Sequence, residues 1–307
     1  MLLAMQHPID PKIDCVFKAL LGSEANQRLL VHFLNAVLGP DLPAPVVDVV
    51  LLNPYNEREF LGDKLSVVDV KARDEAGRLY QVEIQLLVLP DLPARILYGW
   101  ADLYSAQLAS GQDYGDLKPT YAIWLLGETL LQDRPGYAHR FRLRDEAGRE
   151  LVEHGEICLL ELAKFGAGEV QTEEQRWLKF FNEGERLDEG RLPDWMQTEE
   201  MRQAMGTLKE FSEKERSYHA YQARQNYLRQ QRSIGRRIQA LTAEAAQAQA
   251  EKQKARAAEE RERAEKERER AEKEQARAAE ERERAEKETA LAEVERLKRL
   301  LKGDPSA

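Results

Sequence analysis

Hydrophobic and polar positions divide the first two-thirds of the chain into short stretches of two different periods. A first periodic stretch opens at Asp14-Cys-Val-Phe-Lys-Ala-Leu-Leu and is interrupted at Gly22. From Glu24 to Val37, residues Leu29, Leu30, Phe33, Leu34 and Val37 recur at the 3.6-residue spacing of a helix. Gly39-Pro40 ends it, because proline cannot continue the hydrogen-bond ladder. Pro43 and Pro45 predict extended chain, and Val46 to Leu52 reads as a strand ended by Asn53-Pro54. Residues 66–73 and 79–86 then alternate with period two around Asp74-Glu-Ala-Gly-Arg78, which predicts a β-hairpin. With the turn centred on Ala76, Val68 faces Ile84 and Val70 faces Val82 on the core side. Asp69, Lys71 and Arg73 then share the other face with Gln81, Glu83 and Gln85, and Asp69 stands directly opposite Glu83. A slip of one residue would set Asp69 against Ile84, so the hydrophobic matching selects the first register.

Beyond Pro90 and Pro93, Ile96, Leu97, Trp100, Leu103, Tyr104 and Leu108 predict a helix over 94–110. Pro119 to Leu126 is an apolar strand of central type. Tyr137 to Arg144 alternates with Phe141 and Leu143 on one side, and Ile157 to Leu162 is a strand or short helix. Residues 173–187 predict a helix packing through Trp177, Leu178, Phe181 and Leu187. Mixed strands flanked by helices indicate an α/β domain. The expected organisation is a domain over 1–190, a loosely packed helical connector over 191–240, and a charged helix over 241–302.

That last segment is repetitive. No aromatic residue occurs from Gln239 onward, and Arg-Ala-Ala-Glu-Glu-Arg-Glu-Arg-Ala-Glu-Lys-Glu stands at 256–267 and again at 277–288. Alanine recurs every seven residues from 250 to 292, yet Gln253 or a glutamate occupies the position three residues after each alanine. A coiled-coil seam needs apolar residues at both core positions. An isolated charged helix is the favoured reading, supported by Glu262–Lys266, Glu269–Lys273 and similar i,i+4 pairs worth about 0.2–0.5 kcal/mol each. A weak coiled coil and disorder are the alternatives. Leu291, Val294, Leu297, Leu300 and Leu301 form a better apolar stripe through which the tail could meet a second copy or a protein partner.

Composition narrows the function. The formal net charge is -9, and residues 1–240 carry 29 Lys and Arg against 37 Asp and Glu. A broad basic nucleic-acid surface is therefore not indicated, which leaves room only for a local one. Cys15 and Cys158 have no paired spacing, so a disulfide scaffold and a thiolate metal cluster are excluded and a reducing, cytoplasmic setting is expected. No apolar run reaches membrane-spanning length, and no membrane partner is expected. Five scattered histidines lack zinc-ligand spacing, and there is no P-loop, dinucleotide-binding glycine pattern or nucleophile elbow.

The remaining constellation is Asp69 with Glu83 and Gln85 on the polar face of the hairpin. Sheets commonly carry acidic residues on a solvated face, and that reading stands beside a functional one. Asp is a poor strand former, yet Asp69 lies between valines with no basic residue directly opposite. Two carboxylates about 4.5–5.5 Å apart at Cβ repel unless a cation lies between them. Oxygen donors so placed suit Mg²⁺ or Mn²⁺.

An Asp on one strand followed by Glu-x-Gln on the next resembles the PD-(D/E)XK nuclease signature, in the transposase-like or recombination-promoting branch where Gln commonly replaces the final Lys. Asp14-Cys-Val-Phe-Lys18, Phe33-Leu-Asn-Ala-Val-Leu38, Val67-Val-Asp-Val70, Val82-Glu-Ile-Gln85, Pro93-Ala-Arg-Ile-Leu-Tyr98 and Gly111-Gln-Asp-Tyr114 carry the resemblance over roughly residues 6–190. It implies a restriction-endonuclease-like α/β core, a mixed sheet flanked by helices, and a DNA substrate. It also implies that Asp69, Glu83 and the Ile84 carbonyl hold Mg²⁺ or Mn²⁺, with Gln85 orienting water or a phosphate oxygen. Lys71 could replace the missing lysine electrostatically. Asp14 is either an additional group of the site or a helix-capping residue. Arg95 either contacts phosphate or closes an ion pair with a nearby carboxylate. Trp100 and Trp124 are expected in the core, and Tyr98 and Tyr104 in packing. The expected activity is metal-dependent DNA cleavage linked to recombination, mobile elements or defence. The alternative is a catalytically weak relative that binds DNA or a partner through its tail.

Overall fold

The computed structural model describes residues 7–53, 69–166 and 168–301. Its sheet has six strands: β1 (Val49–Leu51), β2 (Asp69–Asp74), β3 (Leu79–Gln85), β4 (Thr120–Leu126), β5 (Ala138–Phe141) and β6 (Gly155–Glu161). They lie in the order β1-β2-β3-β4-β6-β5. The β1–β2, β2–β3 and β5–β6 pairs are antiparallel, whereas β3–β4 and β4–β6 are parallel. The sheet is therefore mixed, as the pattern of strands and helices predicts.

Strand β4 occupies the centre because every one of its seven residues is apolar or neutral and buried. A parallel strand covered on both faces reads as such a continuous run. Its neighbour β6 can approach only because Gly155 begins it. That residue has φ +102°, and a Cβ there would meet the Thr120 carbonyl oxygen at 1.9 Å. In the hairpin, Gly77 supplies the left-handed position of the turn at φ +81°. Asp74 and Arg78 close it, with the Arg78 Nε donating to the Asp74 carboxylate at 2.5 Å.

Helices α1 (Asp14–Gly22), α2 (Gln27–Leu38), α4 (Glu173–Glu183) and α5 (Glu199–Glu213) cover one face. They bury Phe17, Phe33, Trp177 and Phe181 in a common core with Val70, Val82, Ile123 and Leu160 of the sheet. Helix α3 (Leu92–Ser105) packs on the opposite face, over Ala122, Trp124, Leu126 and Leu159. The two layers are unequal, and the smaller one leaves the polar side of the hairpin next to α3.

The predicted register holds: Asp69 pairs with Glu83 and Val70 with Val82. Val68, expected opposite Ile84, lies outside the described residues, as do Val67 and the first residues of the chain. Part of the region after Trp195 packs firmly on the domain. Helix α5, capped by the Thr198 side chain at the Met201 amide, buries Met201, Ala204, Met205, Leu208 and Phe211. Phe141 at the end of the edge strand β5 and Leu143 just beyond it are exposed.

Helix α6 runs Glu215–Leu301. Two compact units divide the chain, Met1–Arg232 and Ser233–Ala307. In the second, the i,i+4 pairs Glu262–Lys266, Glu269–Lys273 and Glu283–Lys287 close at 2.5, 2.7 and 2.6 Å. The side chains of Leu300 and Leu301, the end of the apolar stripe, lie outside the described residues. Among the described residues no helix is long and apolar enough to cross a membrane.

Candidate active site

Strand alternation decides which residues meet. Val70 and Val82 point into the large core, so Asp69, Lys71, Gln81, Glu83 and Gln85 occupy the other side, where Trp124 of β4 stands beside Glu83. Asp69 is 4% exposed and Glu83 3%. Two carboxylates in register and away from water are costly unless compensated.

The compensation comes from four side chains. Lys71 Nζ lies 3.3 Å from Asp69 Oδ2. Asn53 Nδ2 donates to Asp69 Oδ1 at 3.1 Å and to the Asp69 carbonyl at 3.0 Å. Arg95, from the first turn of α3, forms an ion pair with Glu83 Oε1 and donates to Gln85 Oε1 at 3.3 Å. Gln81 Nε2 makes a long contact of 3.4 Å to Glu83 Oε2. Arg95 also lies over the Trp124 ring, 5.6 Å from its centroid. The Gln85 amide donates to the Leu87 carbonyl at 2.9 Å, which fixes its orientation.

This compensation is incomplete. Burial pushes the Glu83 carboxyl from 4.5 up to about 7; Arg95 opposes the rise and the Asp69 carboxylate adds to it. Gln81 Oε1 is buried without a hydrogen-bond partner among the described residues. Both cationic side chains remain partly in solvent, Arg95 at 49% and Lys71 at 30%.

The residues present fit a small divalent cation. Mg²⁺ commonly takes one or two protein carboxylates and completes its shell with water and substrate phosphate. Asp69, Glu83 and the Ile84 carbonyl would be its protein ligands. Among the described residues no group of three or more His, Cys, Asp and Glu is placed to hold a metal ion.

Asp14 is not brought to this pair. It is the first residue of α1, accepts from the Cys15 amide at 2.7 Å and lies 3.3 Å from Arg224 Nε of α6. Burial raises its carboxyl despite Arg224. Arg95 stands in the ion-pair arrangement. Tyr104 hydrogen-bonds His154 Nδ1 at 2.8 Å and stacks on Trp100, so it packs as expected, whereas Tyr98 is exposed. Trp124 is in the core, and Trp100 packs at its margin.

Asn53 and Gln81 were not singled out in the sequence. Asn53 lies 16 residues before Asp69 and reads there only as a strand terminator. Gln81 follows from the alternation, but an amide two residues before Glu83 carries no signal of its own.

The sheet, the hairpin and the family comparison together place the chain in the PD-(D/E)XK nuclease superfamily. It belongs to the family described as PD-(D/E)XK nuclease family transposase, whose model matches residues 11–237. The match runs past residue 190, the limit of the resemblance read from motifs, and includes α5 and the beginning of α6. No curated protein and no solved structure gives a significant match.

Proposed function

We propose that this protein is a divalent-metal-dependent DNA endonuclease that hydrolyses phosphodiester bonds. The observation that carries this reading is the in-register Asp69–Glu83 pair, buried, with its positive charge supplied by the partly exposed Lys71 and Arg95. Bound there, Mg²⁺ or Mn²⁺ would lower the pKa of a water and stabilise charge on the phosphate. The chain's own groups have separate tasks. Asp69 and Glu83 would hold the cation, and Asn53 keeps the Asp69 carboxylate aimed. Arg95, released from Glu83, offers a planar donor pair to a phosphate oxygen. Gln85 orients water or phosphate without adding charge, and Lys71 supplies the positive charge that a lysine at position 85 would have brought. One Asp/Glu pair supports hydrolysis by an activated water rather than strand transfer. Two buried free thiols, Cys15 and Cys158, suit a reducing, cytoplasmic setting.

A second reading has an observation of its own. Gln85 is held by Leu87 and Arg95, so a catalytically weak member that binds DNA or a protein partner through its helical tail would look the same at this position. Purified protein incubated with plasmid DNA and Mg²⁺, Mn²⁺ or EDTA, beside Glu83→Ala, separates the two. Metal-dependent cutting that the substitution abolishes supports the endonuclease. Intact DNA throughout, from folded protein, supports the weak relative.

A further inference from the structure

The two parts of α6 treat charge differently. After Glu244, glutamates set four residues before Lys266, Lys273 and Lys287 pair with them. From Arg216 to Ala243 there are six arginines and no acidic residue, in a chain whose formal net charge is -9. Arg216, Arg229, Arg232, Arg236 and Arg237 are exposed, and among the described residues none of them forms an ion pair. Arg224 differs, being partly buried against Asp14.

The beginning of the helix is anchored to the domain. Tyr218 stacks on His7 with ring centroids 4.0 Å apart, and the Tyr221 hydroxyl accepts from the Asp10 amide at 3.0 Å. Arg229 and Arg232 follow at i and i+3 on one side of the helix, and Arg236 and Arg237 come next in the chain. Like charges so spaced repel each other, and packing does not require them there. A sequence that balances charge along the rest of the helix leaves this stretch unbalanced, which fits a polyanionic partner.

We propose that the segment from Arg216 to Arg237 is an arm that binds the phosphate backbone of duplex DNA. It is about 32 Å long at 1.5 Å per residue, close to the roughly 34 Å of one duplex turn. The intervening Gln222, Gln225, Asn226 and Gln230 are neutral donors compatible with phosphate contact. Beyond Glu244 the helix is charge-balanced, so the tail of a second copy offers no acidic counterface; docking on a second copy's acidic domain instead would show as an arginine-dependent dimer without duplex binding, which overturns the proposal. The choice of DNA rests on the endonuclease reading, but binding by the arm is independent of cleavage.

The test uses the full chain in EDTA and a fluorescent 30-base-pair duplex of arbitrary sequence, titrated across a salt series. The quadruple variant R229Q/R232Q/R236Q/R237Q keeps helix-forming residues, and circular dichroism checks that it folds. A control, R261Q/R263Q/R282Q/R284Q, changes net charge equally in the balanced part. The arm variant is expected to bind roughly tenfold or more weakly, with a salt slope lower by about 3–4, while the control stays near wild type. Equal weakening in both variants, or none in the arm variant, overturns the proposal. So does arginine-dependent binding to phosphatidylserine vesicles but not to duplex. Arm-dependent binding in EDTA together with no cleavage when Mg²⁺ or Mn²⁺ is added in a parallel reaction would instead count against the endonuclease reading.

Discussion

Glu83 on β3 and Glu161 on β6 are the same residue type in one sheet, both shielded from water, and their carboxyls shift in opposite directions. Burial acts against the charged form in each. At Glu161, fully buried, Lys164 Nζ lies at 2.5 Å, His139 Nε2 at 3.1 Å, and the Leu130 and Leu131 amides donate at 2.5 and 3.0 Å. Lys164 and the two amides outweigh burial and hold the carboxyl below its usual range. At Glu83 the principal partner is a half-exposed arginine, a second carboxylate stands opposite, and the carboxyl rises to about 7. Glu161 is satisfied by partners on its own strand end and the neighbouring loop, so it fastens the fold. Glu83 is left short of positive charge, the kind of perturbed carboxyl that clusters at functional sites.

The contrast can be broken most forcefully at Glu161. Glu161→Ala leaves two amides without an acceptor and Lys164 without its counter-charge, held only by the Leu131 and Arg134 carbonyls, and should cost about 3–5 kcal/mol in urea unfolding. A loss below about 1 kcal/mol would remove the distinction between the two glutamates. Glu83→Gln should act in the opposite sense. Because its folded-state carboxyl is raised, the native protein binds more protons than the unfolded chain between about pH 4.5 and 7, and stability falls as pH rises through that window. The amide escapes this penalty, so the variant should gain up to about 3 kcal/mol over wild type at pH 8 and nothing near pH 4. Asn53→Ala removes the donor to Asp69 and should cost about 1–2 kcal/mol at neutral pH, read from the same unfolding curves. Smallest of all, Glu262→Ala should change thermal stability by no more than about 0.5 kcal/mol. A larger loss would show that the distal helix is held by a partner.

The hairpin was readable because two local signals coincide: period-two alternation on both strands and a turn whose centre sets the register. Together they place Asp69 opposite Glu83 without reference to the rest of the fold. The groups that complete the site were not readable in the same way. Asn53 reaches Asp69 across an intervening stretch of chain, and Arg95 arrives through the packing of α3 on β4. Asp14 shows the converse, since a carboxylate at the start of α1 can serve a site or a helix equally well, and Arg224 claims it in the fold. Helix α5 was underestimated because Met201, Ala204 and Met205 make a weaker apolar stripe than leucines and phenylalanines do. The arginine run in α6 was masked by averaging its charge with that of an acidic domain.

The most direct test of the central contrast is a thermal melt at pH 8 with and without Mn²⁺, for wild type and Glu83→Gln. A ligand at 100 times its Kd stabilises by about 2.7 kcal/mol, enough for a shift of several degrees. The account predicts that shift in wild type and its loss in Glu83→Gln. No shift in wild type, or an equal shift in both, would contradict the claim that the Asp69–Glu83 pair is a cation site.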